Sequence, residues 1–169
     1  LIETLVFTAL IFFLVRTFLF ENYRVIGRSM EPTLENDQFL VVNKLGYRLY
    51  EPQRGDLIVF QERADGDRKL TKRVSGLPGA LVEIRTGQES DHDLPLDDPY
   101  IADPGTTPQS STPVPEGHYF VLGDHRTNSS DSRNWGMLPE EQILGKAWVS
   151  YWPPSLWGVI PHETYGDGL

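Results

Sequence analysis

Residues 56–74 read DLIVFQERADGDRKLTKRV, and this stretch indicates the fold of the chain. Two short strand-like runs, 56–61 and 70–74, flank the turn signal Asp65-Gly66-Asp67. Similar runs recur along the chain, at residues 23–26, 38–43, 81–85, 119–122 and 145–152. Only residues 45–50 suggest a short helical turn, and no segment after residue 22 has a sustained helical period. The sequence therefore predicts an all-β domain, barrel-like or in two sheets, with mostly antiparallel strands.

The composition excludes several classes of function. The 169 residues are enough for one domain with an appendage, and their net charge of −9 argues against a nucleic-acid surface. Because the chain has no cysteine, disulfides, thiolate metal sites and cysteine nucleophiles are excluded. The 4 histidines lack metal-ligand spacing, and no nucleotide-binding motif is present. We expect neither a metal nor a cofactor.

Residues 1–20 form the most apolar segment of the chain, LIETLVFTALIFFLVRTFLF. The charge-free part, 4–15, is short for a membrane span and would also suit the core of a cleaved signal peptide. The residues that follow, Glu-Asn-Tyr-Arg-Val, offer no small-x-small cleavage site. We therefore predict an uncleaved transmembrane anchor, preceded by further residues because the sequence begins without Met. Charge bias does not predict its orientation, since that upstream flank is absent.

The rest of the chain divides by composition. Residues 21–152 carry the predicted β-rich domain. Within it, 88–116 are rich in Asp, Pro, Ser and Thr, which predicts a surface excursion with a small hairpin near Tyr100-Ile101. Residues 153–169 are rich in proline and glycine and predict an irregular tail. Aromatic residues cluster before and within this tail, where they suit either core packing or a membrane interface: Trp148, Tyr151, Trp152 and Trp157.

Ser29 is a candidate nucleophile, because it follows the apolar segment closely and so lies near the membrane surface. A serine hydroxyl needs a base to take its proton. His125 follows a Gly-Asp turn and would suit a Ser–His–Asp triad. Lys72 is the alternative, because burial can lower a lysine pKa towards neutrality. Strand alternation places Lys72 on one face and its neighbours Thr71 and Arg73 on the other.

Four blocks resemble the bacterial type I signal peptidases (leader peptidases), a family of Ser-Lys serine proteases. They are SMEPTL at 29–34, RGDLIVF at 54–60, KRVSGLPG at 72–79 and GDHRTNSSDSRNWG at 123–136. Their order and spacing match the family, as does the preceding anchor, so the resemblance covers about residues 1–152. The fold it implies is a β-rich catalytic domain behind one N-terminal transmembrane helix.

The resemblance also implies roles for individual residues. Ser29 matches the family's nucleophile and Lys72 its general base, with no histidine in the mechanism. Ser129 matches a serine that hydrogen-bonds and orients the lysine. Other matches are structural polar positions, which are Asp124, Asp131, Arg133 and Arg73. The residues that flank the catalytic pair would line shallow apolar substrate pockets, and these are Val25, Ile26, Met30, Leu34, Leu70 and Thr71.

The activity implied is removal of signal peptides from exported preproteins, by cleavage after small-x-small sites. The protein would be a single-pass protein of the plasma membrane, with its catalytic domain on the extracytoplasmic face. Expected partners are preprotein signal peptides and membrane lipid, with the export machinery as a further candidate. Two departures concern details of the site. Gly27 stands where some members have a serine that assists the oxyanion hole, and His125 stands where asparagine is usual.

Two other functions are compatible with a tethered β domain. A self-cleaving Ser-Lys protease of the repressor type has a similar core, but it would need a DNA-binding domain or an internal cleavage site. A membrane-tethered module that only binds partners would leave the pairing of Ser29 with Lys72 a coincidence. Cleavage of a preprotein distinguishes an enzyme from such a module.

Overall fold

The computed structural model describes residues 1–62, 68–83, 100–102 and 111–162. The chain begins with helix α1 (Ile2–Leu19), and two single-turn helices follow later, α2 (Gly46–Leu49) and α3 (Ser132–Trp135). The strands are β1 (Phe20–Arg24), β2 (Phe39–Asn43), β3 (Leu57–Glu62), β4 (Arg68–Gly76), β5 (Leu81–Glu83), β6 (Tyr100–Ala102), β7 (Ser111–Pro113), β8 (His118–Leu122), β9 (Leu138–Pro139), β10 (Ile143–Trp152) and β11 (Gly158–Val159).

Most strands form one antiparallel sheet in the order β1-β2-β10-β3-β4-β8-β9, with β11 added beside β10. A second sheet has three strands in the order β6-β5-β7, also antiparallel. Strands β3 and β4 lie in the middle of the large sheet, so the stretch that indicated the fold is also its centre. The prediction of a mostly antiparallel all-β domain is confirmed.

Both faces of the large sheet are covered, as strand β3 shows. Leu57 and Val59 belong to one buried cluster, together with Leu40 and Val42 of β2. The alternate residues Ile58 and Phe60 belong to a second cluster with Val74, Tyr119 and Val121. Because successive side chains of a strand point to opposite faces, the two clusters lie on opposite sides of the sheet. Residues 57–60 of β3 are therefore buried whichever way they point.

Helix α1 stands apart from this core. It has 18 residues, a mean hydropathy of 2.0 and no buried residue, so it is long and apolar enough to cross a membrane. Strand β1 begins at the residue after the helix ends, so no linker separates the helix from the large sheet.

The structure differs from the sequence prediction at the ends of elements and in short elements that the sequence did not indicate, among them α3, β7 and β9. Strand β4 runs from Arg68 to Gly76, because its pairing with β3 and β8 extends beyond the apolar run at 70–74. The tail is more regular than expected: it contains a 3-10 turn at Pro154–Leu156 and strand β11, which pairs with β10. The predicted turn at Asp65–Asp67, and residues 88–99 and 103–110 of the predicted excursion, lie outside the described residues.

Candidate active site

Lys72 lies near the middle of β4, opposite Ile58 of β3. Its exposed fraction is only 2%. Strand alternation predicted that Thr71 and Arg73 would point to the face opposite that of Lys72. Both are buried too, at 4% and 3%, because each face of the sheet carries a packed cluster. The burial that can shift the pKa of Lys72 thus extends to its neighbours on both faces of β4.

Ser29 lies on the loop between β1 and β2. Two turn hydrogen bonds shape this loop, from Glu31 N to Arg28 O (3.2 Å) and from Leu34 N to Met30 O (2.9 Å). Met30 and Leu34 are each 1% exposed and belong to the first core cluster. The side chains of Met30 and Leu34 anchor the loop in the core. Ser29, which directly precedes Met30, remains partly exposed.

The structure brings the two predicted catalytic side chains together, with Lys72 Nζ 2.7 Å from Ser29 Oγ. Burial lowers the pKa of Lys72 to about 8, and the cations Arg68 and Arg133 act in the same direction against the opposing charge of Asp131. In the described part of the chain, no carboxylate lies within ion-pair distance of the amine. A lysine in these surroundings loses its proton far more readily than a free one and can accept a proton from the serine.

A second contact joins the Ser29 loop to the lysine strand. Arg73 follows Lys72 and binds Asp124 through two hydrogen bonds, Nε to Oδ1 (2.8 Å) and Nη2 to Oδ2 (2.6 Å). Asp124 Oδ2 also accepts a hydrogen bond from Thr33 Oγ1 at 2.6 Å. Charge-assisted, bidentate pairs are among the stronger polar contacts in proteins. Asp124 thus connects the loop that carries Ser29 to the strand that carries Lys72. Thr33 is the residue of the loop that makes this contact, and the sequence did not indicate that role.

Asp131 organises the segment after β8. It caps α3 by accepting from Arg133 N, pairs with the Arg133 side chain and accepts a hydrogen bond from Gly123 N. Burial raises the pKa of Asp131, but the hydrogen bonds from Arg133 and Gly123 outweigh it, so the pKa lies below its usual value. Ser129 contributes to the same lowering, yet its buried Oγ has no hydrogen-bond partner by distance and angle among the described residues. The bond that the resemblance implies from Ser129 to Lys72 is therefore not formed among the described residues.

Two glycines meet special requirements of the site. A Cβ on Gly123 would clash with Ser129 Oγ and lie 2.5 Å from the carbonyl oxygen of Ser29, so no larger residue fits there without displacing Ser129 or the loop that carries Ser29. Gly27 has a φ of +95°, which glycine adopts without steric cost. A side chain at residue 27 would meet no atom within 4 Å. The backbone conformation, rather than space, favours glycine at residue 27.

His125 contacts the backbone of the Ser29 loop. Its N–H donates to Ser29 O (3.0 Å), and its ring Nδ1 lies 3.3 Å from Arg28 O. In the part of the chain that the structure describes, no hydrogen bond joins the ring to Ser29 Oγ. The geometry therefore favours Lys72 over His125 as the base. Sequence reasoning considered His125 only as a triad member and did not predict these backbone contacts.

The six predicted substrate-binding residues differ in accessibility. Three of them lie in the first core cluster and are 1–3% exposed: Val25, Met30 and Leu34. Thr71 is buried as well, Leu70 is partly buried, and Ile26 is 60% exposed. Of this set, Ile26 and Leu70 are the side chains that a peptide can reach most directly. The buried residues would contribute indirectly, by packing beneath the accessible side chains of Ile26 and Leu70.

A second polar cluster centres on Asp56, which sequence reasoning did not single out. Its carboxylate accepts hydrogen bonds from Tyr47 Oη (2.9 Å) and Lys146 Nζ (2.6 Å). His162 lies beside it and accepts from Leu57 N at 3.1 Å through Nδ1. Burial lowers the pKa of His162, and the nearby Lys146 lowers it further. Within the described residues, no group of His, Asp and Glu has the arrangement of a metal site, here or at Ser29.

Residues 1–152 match the protein family described as signal peptidase, peptidase S26. The chain is 37% identical to a probable signal peptidase I-2 from Synechocystis sp., over 99% of this chain and 79% of that protein. It is 39% identical to a signal peptidase I from Bacillus caldolyticus, over 82% of this chain and 83% of that protein. A crystal structure of a signal peptidase I from Enterococcus faecalis matches 57% of this chain and 97% of that chain, with 30% identity and a TM-score of 0.40.

Proposed function

This chain belongs to the signal peptidase family, peptidase S26, and we propose that Ser29 and Lys72 are its nucleophile and general base. The observation that carries the proposal is the 2.7 Å approach of Lys72 Nζ to Ser29 Oγ. Membership of the family and the apolar helix α1 indicate a membrane-anchored protease of the signal peptidase I type. This leaves no support for a self-cleaving repressor-type protease or for a module that only binds partners.

The proposed reaction is hydrolysis of a peptide bond through an acyl-enzyme. Neutral Lys72 takes the proton of Ser29 as Oγ attacks the scissile carbonyl. The resulting ammonium gives that proton to the leaving amine, which departs and leaves the acyl group on Ser29. Lys72, neutral again, then takes a proton from water as the water oxygen attacks the acyl carbonyl. When the bond from the acyl carbon to Ser29 Oγ breaks, Lys72 returns that proton to Oγ, and the new C-terminal carboxyl group leaves with its peptide. The burial that lowers the lysine pKa to about 8 supports each of these transfers.

Backbone donors would stabilise the tetrahedral intermediate. The N–H of Ser29 lies next to the attacking oxygen and is the main candidate for the oxyanion hole. Gly27 provides no side-chain hydroxyl that could assist, so the hole depends on N–H groups here. Such donors contribute most when their direction is fixed before the reaction begins.

The proposed substrates are secretory preproteins cleaved after small-x-small sites. Ser29 lies nine residues beyond the predicted membrane segment (1–20), a distance of at most about 30 Å even in an extended chain. A signal peptide presents its cleavage site just beyond a short apolar core. Enzyme and substrate would therefore meet at similar height above one membrane surface, the extracytoplasmic one. Subsites near Ile26 and Leu70 would accept small side chains.

Membrane lipid is the second proposed partner. Four aromatic residues in the second half of β10 and just after it are 37–75% exposed: Trp148, Tyr151, Trp152 and Trp157. Phe20, the first residue after α1, stacks on Trp148 with ring centroids 5.5 Å apart. The exposed aromatic surface is thus continuous with the end of the apolar helix, and Trp and Tyr favour the headgroup zone. Core packing does not account for side chains this exposed.

Brominated phospholipid vesicles that contain the full chain test this contact, because bromine quenches only tryptophans that reach the lipid. Trp157→Ser should remove quenched emission. Trp135→Phe is the matched control, since Trp135 is only partly exposed and packs on Phe60; it should remove emission that lipid does not quench. If the fraction of emission quenched by bromine were the same in the two variants, Trp157 would not contact lipid more than Trp135 does, and the proposed lipid contact would be rejected.

The experiment that tests the proposed function is cleavage of a preprotein with an Ala-x-Ala site by the full chain in detergent. Ser29→Ala and Lys72→Ala should both fold and lose activity by several orders of magnitude. Near-normal turnover by Lys72→Ala would show that Lys72 is not the base. Release of a fragment at a position other than the Ala-x-Ala site would reject the proposed specificity while keeping the nucleophile.

A further inference from the structure

The peptide unit between Arg28 and Ser29 has two polar ends with different tasks. Its N–H belongs to Ser29 and is the proposed oxyanion donor. Its carbonyl oxygen belongs to Arg28. The unit is planar, and in a trans peptide the C=O and N–H point in opposite directions. A contact that fixes the direction of the Arg28 carbonyl therefore also fixes the direction of the Ser29 N–H.

Among the described residues, two groups contact the Arg28 carbonyl oxygen. One is the N–H of Glu31 at 3.2 Å, which belongs to the same turn and moves with it. The other is Nδ1 of His125 at 3.3 Å, from a loop 97 residues away in sequence. Because a carbonyl oxygen only accepts hydrogen bonds, Nδ1 must carry the hydrogen in this contact. His125 thus connects the Ser29 peptide to a part of the protein outside its own turn.

The backbone of His125 holds the next peptide unit as well. Its N–H donates to Ser29 O at 3.0 Å, so one residue contacts the carbonyls on both sides of the nucleophile. Its neighbours contribute to the same attachment. Gly123 permits the close approach of Ser29 O, and Asp124 accepts a hydrogen bond from Thr33 further along the loop. The loop that carries Ser29 is therefore fixed from one side by residues 123–125.

The opposite end of the loop offers little restraint of its own. Gly27 is exposed, has a positive φ and would leave an added Cβ in open space. Its N–H is held by Asn36 Oδ1 at 2.8 Å, but Arg28, the residue between Gly27 and the nucleophile, is exposed. Without the His125 ring, the Arg28 carbonyl would keep, among the described residues, only the contact from Glu31 N within its own turn.

We propose that His125 is a positioning residue whose ring holds the Arg28 carbonyl and thereby aims the Ser29 N–H at the oxyanion. This inference rests on the proposed function, because it assumes that Ser29 is the nucleophile. It assigns His125 no proton transfer. Since the oxyanion exists only in the transition state and the tetrahedral intermediate, His125 should affect the rate of cleavage and leave substrate affinity unchanged.

The test compares His125→Leu with His125→Asn, whose side-chain amide can still donate to a carbonyl. Single-turnover cleavage of the Ala-x-Ala preprotein by the full chain gives the rate. Affinity for the same preprotein is measured with each substitution in a Ser29→Ala background, which does not turn over. His118→Leu is the matched control, because its Nδ1 likewise contacts a backbone carbonyl, Glu116 O at 3.0 Å, outside the Ser29 loop.

We expect His125→Leu to cleave about 10–100-fold more slowly, less than the ~10²–10³-fold cost of removing an oxyanion donor outright. Affinity should stay within about twofold, as expected when only a transition-state contact is lost. His125→Asn should recover most of the rate, and His118→Leu should cleave like the original protein. His125→Ala provides a second truncation in case His125→Leu does not fold.

Several results would overturn the inference. They are an unchanged rate in the folded truncations, a loss of affinity in place of rate, no recovery in His125→Asn, or an equal loss in His118→Leu. A loss in His125→Leu as large as in Ser29→Ala, without recovery by asparagine, would instead favour a histidine base. If Ser29→Ala still cleaved, the proposed nucleophile would fail and this inference with it, whereas the results above leave that nucleophile intact.

Discussion

Two lysines in the large sheet occupy one row and have different surroundings. Lys146 of β10 lies opposite Ile58 of β3, and Ile58 lies opposite Lys72 of β4. Residues that pair directly across strands share one face of a sheet, so the two lysines start from similar positions. Their side chains nevertheless end in different environments, and this difference would separate a structural charge from the proposed base.

Lys146 is a lysine with a carboxylate partner. Its side chain is 35% exposed, and its ammonium lies 2.6 Å from Asp56, whose side chain is 8% exposed. Asp56 accepts further hydrogen bonds from Tyr47 and from Gln53 N. The charge of Lys146 thus completes a polar cluster that would otherwise bury an unpaired carboxylate.

Lys72 is buried without such a partner among the residues that the structure describes. Its amine faces the hydroxyl of Ser29, and burial lowers its pKa to about 8. One residue type, placed twice in one row, thus has surroundings that suit a structural role at Lys146 and the proposed chemical role at Lys72. What decides between them is the nearest group, a carboxylate in one case and a hydroxyl in the other. Substitutions at the two positions can therefore test the assignment against an internal control.

The largest difference should appear in the cleavage rate. Lys72→Met keeps the length of the side chain and removes the amine, so we expect the rate to fall by about 10⁴-fold or more, as for loss of a catalytic-unit residue. Lys146→Met should cleave within about threefold of the original protein. The measurement is single-turnover cleavage of the Ala-x-Ala preprotein by protein shown to be folded. Equal losses in the two variants would show that the rate depends on the sheet and not on the amine of Lys72.

The next difference is in the dependence on pH. In the proposed mechanism the reactive form of Lys72 is the neutral amine, so kcat/KM should rise with pH and level off above the lysine pKa of about 8. Below that pH the neutral fraction falls tenfold per unit, and the rate at pH 6 should be roughly a hundredfold lower than on the plateau. Lys146→Met should leave the midpoint unchanged. A midpoint near that of free lysine would contradict the proposed role of burial.

How much of this could be predicted from the sequence depends on the kind of interaction. The strands could be predicted, because short apolar runs between turn signals report locally on β structure, as residues 56–74 show. The pairing of Ser29 with Lys72 spans 43 residues, and spacing alone left His125 as an alternative base. Only the match of four blocks to a known family selected Lys72 over His125 as the expected base.

The contacts around the pair could not be predicted, because they depend on how loops meet. Nothing local in the sequence indicates that Thr33 reaches Asp124 or that Gly123 must admit the carbonyl of Ser29. Strand alternation also gave an incomplete account of β4, where Thr71 is buried although it points away from the face of Lys72. Alternation predicts which side a residue faces. It does not predict whether another layer covers that side.

The smallest difference should appear in the free energy of unfolding, where the two variants should change it in opposite directions. The pKa of Lys72 falls from 10.5 in the unfolded chain to about 8 in the folded protein, so folding opposes its protonation. The cost is absent above pH 10.5, grows as pH falls and is complete below about pH 8. Lys72→Met should remove it and stabilise the protein at pH 7 by roughly 1–3 kcal/mol.

Lys146→Met should instead destabilise the protein at pH 7, by about 1–3 kcal/mol, because the buried carboxylate of Asp56 loses its charged partner. Urea unfolding of the full chain in detergent, followed at pH 7 and pH 10, measures both changes. The gain from Lys72→Met should shrink towards pH 10, as the original lysine loses its proton in the unfolded state too. If Lys72→Met were destabilising at both pH values, the amine of Lys72 would be a structural charge like that of Lys146. Opposite signs at pH 7 would mean that the protein gives up stability at Lys72 to keep a base beside Ser29, and does not do so at Lys146.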